Sequence, residues 1–142
     1  MTDDTPPKSG FQRHFRKSPL TDPWEPLWSM RDGDAFVLAA TIAEPHCNAR
    51  GFAHGGLISA LADNAMGLAC VMAGGGASGA VTANLSVDFL GSGQIGQWLE
   101  VTARPVRIGG TLAFAEARIT ADGEPIARAS AVFKMQRPAK ES

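Results

Sequence analysis

One segment of the 142-residue chain limits its possible folds more than any other: residues 55–72 form an almost uninterrupted apolar run rich in Ala, Leu and Met. Its length and composition predict a helix of about five turns, which ends at the glycines 74–76. Only Ser59, Asp63 and Asn64 interrupt the apolar surface. A helix that is apolar on nearly every side is buried all round, so the sequence predicts a central helix.

The other regular segments alternate apolar and polar residues at the period of a β-strand. One strand is expected between Asp34 and Pro45, and four more follow the helix, over residues 80–89, 98–106, 111–120 and 126–135. An antiparallel sheet of about five or six strands needs one face covered, and the apolar helix is the only candidate cover. The predicted fold class is therefore α+β, with one long central helix wrapped by the sheet. The helix surface that the sheet leaves open favours oligomerisation.

The strand over residues 80–89 shows the clearest alternation. Its odd-numbered positions, from Val81 to Phe89, are all apolar, and its even-numbered positions from Thr82 to Asp88 are polar. This pattern predicts a half-buried strand in which the two sets lie on opposite faces.

Residues 1–30 lack such regularity. Residues 1–10 contain two prolines and few large apolar groups and are predicted to be disordered, whereas residues 11–30 mix aromatic residues with three prolines. The latter are predicted to form an irregular arm with one short helical turn, and the folded domain is expected to span residues 31–137. Four basic residues of the arm are predicted to form a solvated patch, with phosphate contact as the alternative; they are Arg13, His14, Arg16 and Lys17.

Composition argues against several classes of function. The net charge of −1 provides no long-range field that would attract nucleic acid or an anionic membrane surface. The first residues lack the apolar run of a signal peptide, and no stretch has the roughly 18–20 uncharged apolar residues of a membrane span, so a cytoplasmic location is expected. The two cysteines, Cys47 and Cys70, predict neither a zinc site nor a disulfide framework. No metal and no cofactor are expected.

The first candidate for chemistry is the motif His54-Gly55-Gly56 at the predicted start of the helix. Free backbone N–H groups and the positive end of the helix dipole attract negative charge there, and glycines let a substrate approach the backbone closely. The oxyanion that forms when an acyl carbonyl is attacked suits such a site. Glycines that merely relieve crowding between helix and sheet explain this motif equally well when it is taken alone.

The second candidate is Asp63, because a carboxylate inside an apolar helix is costly unless it is paired, hydrogen-bonded or functional. An exposed stripe, or a polar contact with Ser59 or Asn64, would also explain it. Asp63 lies about 12 Å along the helix from Gly55, too far for both to serve one carbonyl from a single chain. A two-fold dimer with antiparallel helices would bring Asp63 of one chain to Gly55 of the other and would cover both helices.

The run Asn48-Ala49-Arg50-Gly51-Phe52-Ala53-His54-Gly55-Gly56, followed by Asp63, resembles the hotdog-fold acyl-CoA thioesterases of the phenylacetate-pathway type and their mammalian thioesterase-superfamily relatives. The resemblance continues through residues 82–89 and 110–114 and covers about residues 45–134. It implies a hotdog fold, hydrolysis of an acyl-CoA thioester to a free acid and CoA, and a homodimer or dimer-of-dimers tetramer with active sites between subunits.

The resemblance also implies roles for individual residues. The backbone N–H of Gly55, or that of Gly56, would polarise the thioester carbonyl. Asp63 of the opposing subunit would activate the attacking water or attack the carbonyl directly. Asn48 and His54 would orient the thioester or the water.

Two further implications concern a hydroxyl and the CoA phosphates. Thr82 matches a position at which the family carries a hydroxyl that helps to position the water. Family members often carry a basic residue at the position of Gly110, where it would contact CoA phosphates. Because this chain has a glycine there, three arginines are the candidate substitutes: Arg104, Arg107 and Arg128.

Two other functions stay open from the sequence. The same fold and helix terminus would serve a non-catalytic acyl-CoA binding or sensing module, with Asp63 confined to the subunit interface. A hydratase or dehydratase acting on enoyl or 3-hydroxyacyl thioesters is a weaker match to the set of Asn48, His54-Gly55-Gly56 and Asp63.

Overall fold

The computed structural model describes residues 4–138, which form one seven-stranded sheet and one long helix. The helix α1 spans Gly55–Ala73, and two single 3-10 turns span Asp22–Trp24 and Glu44–His46. The strands are β1 (Gln12–Arg13), β2 (Trp28–Asp32), β3 (Ala35–Thr41), β4 (Gly79–Phe89), β5 (Trp98–Ile108), β6 (Leu112–Ala121) and β7 (Glu124–Gln136). All neighbouring strands are antiparallel, in the order β1-β2-β3-β5-β6-β7-β4.

Helix α1 packs across one face of the sheet, against β3, β4, β5, β6 and β7. The predicted α+β architecture with a central helix is therefore confirmed, and the predicted helix and the five strands flanking it are each found within a few residues of their expected limits. The sheet has seven strands, slightly more than the five or six that were predicted.

The two extra strands lie in the segment predicted to be an irregular arm. Residues 28–32 form β2, which pairs with β3 through a tight turn at Gly33, where φ is +61°. The strand was not predicted because several prolines precede it and make the whole segment look irregular. The irregular arm is thus wrong for residues 12–13 and 28–30, and the predicted helical turn is confirmed at Asp22–Trp24. The predicted boundary at residue 31 falls inside β2, and residues 1–3 of the segment predicted to be disordered lie outside the described residues.

Trp28 and Phe11 belong to a small second apolar cluster on the sheet face opposite the helix. They pack there with Val37 and Ala39 of β3, and Trp98 covers the cluster edge. The beginning of the arm therefore lies on the outer face of the sheet, and the chain then crosses the sheet edge at β1 toward the helix side.

The helix is buried on one side only. Its buried residues face the sheet and are Leu57, Ile58, Leu61, Ala62, Ala65, Met66, Leu68, Ala69 and Cys70. A stripe of small and polar residues on the other side is half-buried or exposed, and we call it the open stripe: Gly56, Ser59, Ala60, Asp63, Asn64, Gly67 and Val71. The prediction of a helix buried all round is therefore wrong for a single chain, because the open stripe faces away from the sheet that buries the other side of the helix.

Length and hydropathy alone do not distinguish α1 from a membrane span. An 18-residue stretch of this 19-residue helix has a mean hydropathy of 1.5, long and apolar enough to cross a bilayer, but half of that stretch is buried inside the fold. A core helix wrapped by a sheet meets the same criteria.

Strand β4 forms one edge of the sheet and contains a β-bulge. Its register against β7 shifts between Thr82 and Asn84, so that Ala83 has no partner of its own. Because residues paired across two strands share a face, the bulge puts Thr82, opposite the buried Phe133, on the helix side. Val81 turns outward and is 50% exposed. The strict alternation predicted for this strand is therefore wrong at its first half, where the extra residue changes the face.

Candidate active site

The side chain of Asp63 is fixed by a residue of the neighbouring strand. The hydroxyl of Thr82 donates a hydrogen bond of 2.6 Å to Oδ1 of Asp63. Asp63 lies on the open stripe and is half-buried. The alternative explanation, a polar contact with Ser59 or Asn64, does not apply: the Ser59 hydroxyl donates to the carbonyl of Gly55, and Asn64 has no hydrogen bond with Asp63. The carboxylate is thus oriented from the sheet, and Oδ2 has no partner among residues 4–138.

The helix begins with a side-chain cap. His54 is the N-cap residue, and its Nδ1 accepts a hydrogen bond of 2.8 Å from the backbone N–H of Gly56. Because Nδ1 is the acceptor, the neutral ring carries its proton on Nε2. The N–H of Gly55 has no acceptor among the described residues 4–138. Of the two glycine amides considered, that of Gly55 is therefore the one available to a ligand.

Asn48 organises the loop before the helix. Its Oδ1 accepts hydrogen bonds from the backbone N–H groups of Arg50 at 2.9 Å and Phe52 at 3.2 Å. Its own N–H donates to the carbonyl of Phe52, which closes a short hairpin-like turn. The side-chain amide nitrogen has no partner within residues 4–138, so Asn48 keeps two donors for a ligand.

A buried histidine joins this loop to the arm. Nδ1 of His46 accepts from the N–H of Ala43 at 2.9 Å, which puts the ring proton on Nε2, and Nε2 donates to the carbonyl of Trp24 at 2.8 Å. The His54 N–H in turn donates to the carbonyl of His46. The arm, the loop and the helix start are therefore held in one arrangement.

The arm borders two of the grooves that lie along the helix. One, of about 420 Å³, lies at the helix start and is lined by Trp24, Leu20, Cys47, His54 and Gly56, among others. Trp24 of the arm reaches this groove, whereas Trp28 lies on the opposite face of the sheet.

The second groove, which we call the Asp63 groove, has a volume of about 280 Å³. Asp63, Asn64 and Thr82 line it from the helix and β4, and Arg16 lines it from the arm. Arg16 is exposed, as the predicted solvated patch requires, but nothing local in the sequence indicates that residue 16 also lies over the middle of the helix.

The three arginines considered for CoA phosphates do not lie at the helix start. Arg104 and Arg128 line a depression on the outer face of the sheet, where they pair with Asp34 and Asp88. Arg107 is opposite Phe114, whose neighbours Ala113 and Ala115 are buried toward the helix, so that Arg107 also faces outward.

A different arginine occupies the neighbourhood of Gly110. Arg137, just after β7, donates to the carbonyls of Gly74 at 2.7 Å, Gly110 at 3.1 Å and Gly109 at 3.5 Å. It ties the end of the helix to the turn between β5 and β6. Only the three-dimensional fold brings this residue of the C-terminal end next to the glycine at which family members carry a base.

Both cysteines are free thiols. Burial raises the pKa of Cys47, and the nearby Glu44 carboxylate raises it further. Burial raises the pKa of Cys70 to about 11. Neither thiol is therefore favoured as a thiolate nucleophile at neutral pH.

Comparisons with known proteins identify the family. Residues 50–127, more than half of the chain, match the model of the thioesterase superfamily. A protein of Pseudomonas aeruginosa named as a candidate esterase is 42% identical over 127 residues, which cover 89% of this chain and 95% of that protein. The chain belongs to the thioesterase superfamily. Its match with human acyl-coenzyme A thioesterase 13 is 34% identical over 89 residues, covering 61% of this chain and 63% of that protein.

The solved structures of this superfamily share the fold. A protein of Streptococcus pneumoniae described as a hypothetical thioesterase, with coenzyme A, superposes with a TM-score of 0.72 at 27% identity, covering 81% of this chain and 94% of that one. The hotdog fold implied by the resemblance is confirmed, and family membership supports a hydrolase. In a single chain, the fold brings Thr82 next to Asp63. It also joins the Asn48 loop to the start of the helix, through the hydrogen bond between His54 and His46.

Proposed function

We propose that the chain hydrolyses acyl-CoA thioesters at a site shared by two subunits of a homodimer. The observation that carries this proposal is the Asp63 carboxylate, held by Thr82 at the wall of a partly apolar groove on the open stripe. A carboxylate fixed through Oδ1, with Oδ2 left for a water molecule, suits a general base. The two relatives with esterase and thioesterase names support the same chemistry.

The reaction follows from these groups. Asp63 takes a proton from water as the oxygen attacks the thioester carbon, and the carbonyl oxygen becomes an oxyanion. The free N–H of Gly55, at the positive end of the helix, donates to that oxyanion. The intermediate then breaks its carbon–sulfur bond, and the leaving CoA sulfur takes the proton that Asp63 holds. Asn48 and the Nε2–H of His54 supply further donors at the same end of the helix.

Two subunits are needed because the Gly55 amide and Asp63 lie about 12 Å apart along one helix. The open stripe and the outer edge of β4, which pairs with no other strand of residues 4–138, supply surface for a partner. Exposed apolar side chains follow this edge, namely Val81 at 50%, Phe89 at 52% and Leu90 at 57% exposure. A two-fold dimer that joins the β4 edges sets the helices antiparallel and brings each Asp63 toward the Gly55 of its partner. Association of two such dimers into a tetramer is compatible with the same site.

Thiol release from acyl-CoA esters tests the proposal. A panel of acetyl-, hexanoyl-, palmitoyl- and phenylacetyl-CoA is assayed with wild type, Asp63→Asn and Asp88→Asn. Asp88 lies on the same strand as Thr82 but is exposed and paired with Arg128 on the outer face, so it controls for the loss of a carboxylate. We expect Asp63→Asn to lower kcat by about 10²–10⁴ and Asp88→Asn to leave it unchanged.

Full activity of a dimeric Asp63→Asn variant would remove Asp63 from the chemistry. Saturable binding of the esters without thiol release from any of them would instead support a binding module, and hydration of crotonyl-CoA would support a hydratase. The cytoplasmic location and the domain limits 31–137 stay predictions of the sequence.

A further inference from the structure

The Asp63 groove has two walls of different chemistry. The wall formed by the helix, β4 and β7 is largely apolar and includes Leu68, Val71, Ala80 and Phe133. The opposite wall is formed by the arm and is polar, with Arg16, Ser18 and Thr21. A ligand that fills this groove therefore meets an apolar surface on one side and hydrogen-bonding groups on the other.

Most polar side chains of the groove already have partners. Thr82 donates to Asp63, and Ser18 and Thr21 share a hydrogen bond of 3.0 Å. Arg16 and Asn64 are different, because neither side chain has a hydrogen bond or an ion pair with any residue between 4 and 138. Two polar side chains without partners thus line the same groove, one from the arm and one from the open stripe.

The position of Arg16 is set by the residues on both sides of it. Nδ1 of His14 lies 3.1 Å from the buried Ser29 hydroxyl, and the His14 N–H donates to the carbonyl of Leu27. On the other side, the N–H groups of Thr21 and Asp22 both donate to the carbonyl of Ser18. The backbone at residue 16 is thus held between two fixed points, and the exposed Arg16 side chain borders the groove from there.

A guanidinium carries only donors, so its complement is an oxygen acceptor, and a carboxylate is the strongest of these. We propose that the acyl group bears an oxygen function at the end remote from the thioester, and that Arg16 and Asn64 bind this oxygen. This inference rests on the proposed function, since it places the acyl group in the groove beside Asp63. Arg16 is then a specificity-determining residue for the hydrolysis.

Neutralisation of Asp63 is the other role open to Arg16. An ion pair between the two would require a nitrogen–oxygen distance of 4.0 Å or less, and Arg16 has none with any carboxylate of residues 4–138. Because Asp63 accepts its hydrogen bond from Thr82 instead, the positive charge of Arg16 stays available to a ligand.

Binding of CoA thioethers, which cannot be hydrolysed, tests the proposal without turnover. Two sets are measured by calorimetry, S-butyl- and S-hexyl-CoA, each with counterparts that carry a terminal hydroxyl or a terminal carboxylate. The variants are Arg16→Met, which keeps the length of the side chain, and the control Lys17→Met. Lys17 is the neighbouring cation, does not line the groove, and pairs with Glu25 at 3.2 Å.

We expect at least one oxygen-bearing analogue to bind wild type about ten-fold or more tightly than its apolar counterpart. The ratio should fall to about one in Arg16→Met and persist in Lys17→Met. Preference for the carboxylate alone would identify an anionic acyl group, and preference for both would identify a neutral acceptor. The proposal is overturned if wild type shows no such preference in either set, or if the preference survives in Arg16→Met.

Hydrolysis of adipoyl-, 6-hydroxyhexanoyl- and hexanoyl-CoA then separates this inference from the proposed function. Thiol release at the same rate from both oxygen-bearing esters and from hexanoyl-CoA would leave the thioesterase standing and remove the role of Arg16. If the thioethers are discriminated but no ester releases thiol, the role of Arg16 stands and the thioesterase activity is removed.

Discussion

The Thr82 hydroxyl lies 2.6 Å from Oδ1 of Asp63 and donates to it, which joins the edge strand β4 to the middle of the helix. This contact depends on the bulge at Ala83. Without the extra residue, Thr82 would lie on the outer face with Ser86 and Asp88, out of reach of the helix. Bulges re-aim side chains next to functional sites, and here the bulge provides the carboxylate with its orienting partner.

The first prediction concerns this hydrogen bond. Thr82→Val keeps the shape of the side chain but removes the donor, so Asp63 loses its fixed direction. We expect kcat to fall about ten-fold or more, as for the loss of a hydrogen bond to a charged group. Thr82→Ser should retain most of the activity. Thr102→Val, an equivalent substitution on the outer face of β5, serves as the control in steady-state assays, and an equal loss in both valine variants would contradict the role of Thr82.

The second prediction separates the two roles of His54. His54→Ala removes the cap on the Gly56 N–H and should lower the free energy of unfolding by about 1 kcal/mol. Asn is a good N-cap residue, so His54→Asn should restore stability. It should not restore kcat, because it lacks the Nε2–H that the proposed mechanism uses as a donor. Thermal unfolding and thiol release on the same samples distinguish the two, and full recovery of both by Asn would reduce His54 to a helix cap.

The third prediction is a pH dependence of stability due to His14. Burial lowers the pKa of His14 from 6.5 to about 4; the nearby Glu25 opposes this shift, and the charges of Lys17 and Arg16 add to it. The unfolded chain therefore binds a proton at a higher pH than the folded chain does. The contribution of His14 to the free energy of unfolding is fully present above about pH 6.5 and is lost as the pH falls to about 4.

Equilibrium unfolding between pH 7.5 and pH 4.5 measures this contribution, which amounts to at most about 3 kcal/mol. His14→Asn can keep a hydrogen bond to Ser29 but does not titrate in this range. We expect it to flatten the decline in stability between pH 6.5 and pH 4.5. If wild type and variant decline with the same slope, His14 takes up its proton without unfolding, and burial does not hold it neutral.

The parts of the fold that were predictable from the sequence are those with an uninterrupted period. The helix has nineteen residues without a proline, and β5, β6 and β7 each alternate over at least eight residues, so local pattern and final burial agree there. Strand β2 was missed because three prolines surround the turn before it. The face of Thr82 was predicted wrongly because one bulged residue reverses the alternation, and a bulge has no clear sign in a single sequence.

The residues of the candidate site also divide into those that the sequence predicted and those that it did not. Asn48, His54, Gly55 and Asp63 are close in sequence, and their order on a loop and a helix could be read directly. Contacts between distant segments, such as Arg16 at the Asp63 groove and Arg137 at the turn near Gly110, depend on the path of the chain around the whole sheet. No local pattern encodes that path, so these residues were found only from the structure.

The fourth prediction tests whether each site takes Asp63 from one subunit and Asn48 from the other. Asn48→Asp keeps the Oδ1 acceptor that organises the loop but removes the amide donors, so it should inactivate the site without unfolding the loop. Two differently tagged chains are co-expressed, one carrying Asp63→Asn and the other Asn48→Asp, and the heterodimer is purified by both tags. Each homodimer should be inactive, and the heterodimer should regain about half of the wild-type activity through one intact site.

A second heterodimer combines a wild-type chain with a chain that carries both substitutions. Whether the sites are shared between subunits or lie within one chain, its result should be the opposite of that of the first heterodimer. If the sites are shared between subunits, both of its sites contain one altered residue, and it should be inactive. If each site lies within one chain, its wild-type subunit keeps a complete site, and this heterodimer is the active one while the first is not. The pair of measurements therefore decides the arrangement by which of the two heterodimers releases thiol, independently of the absolute rate.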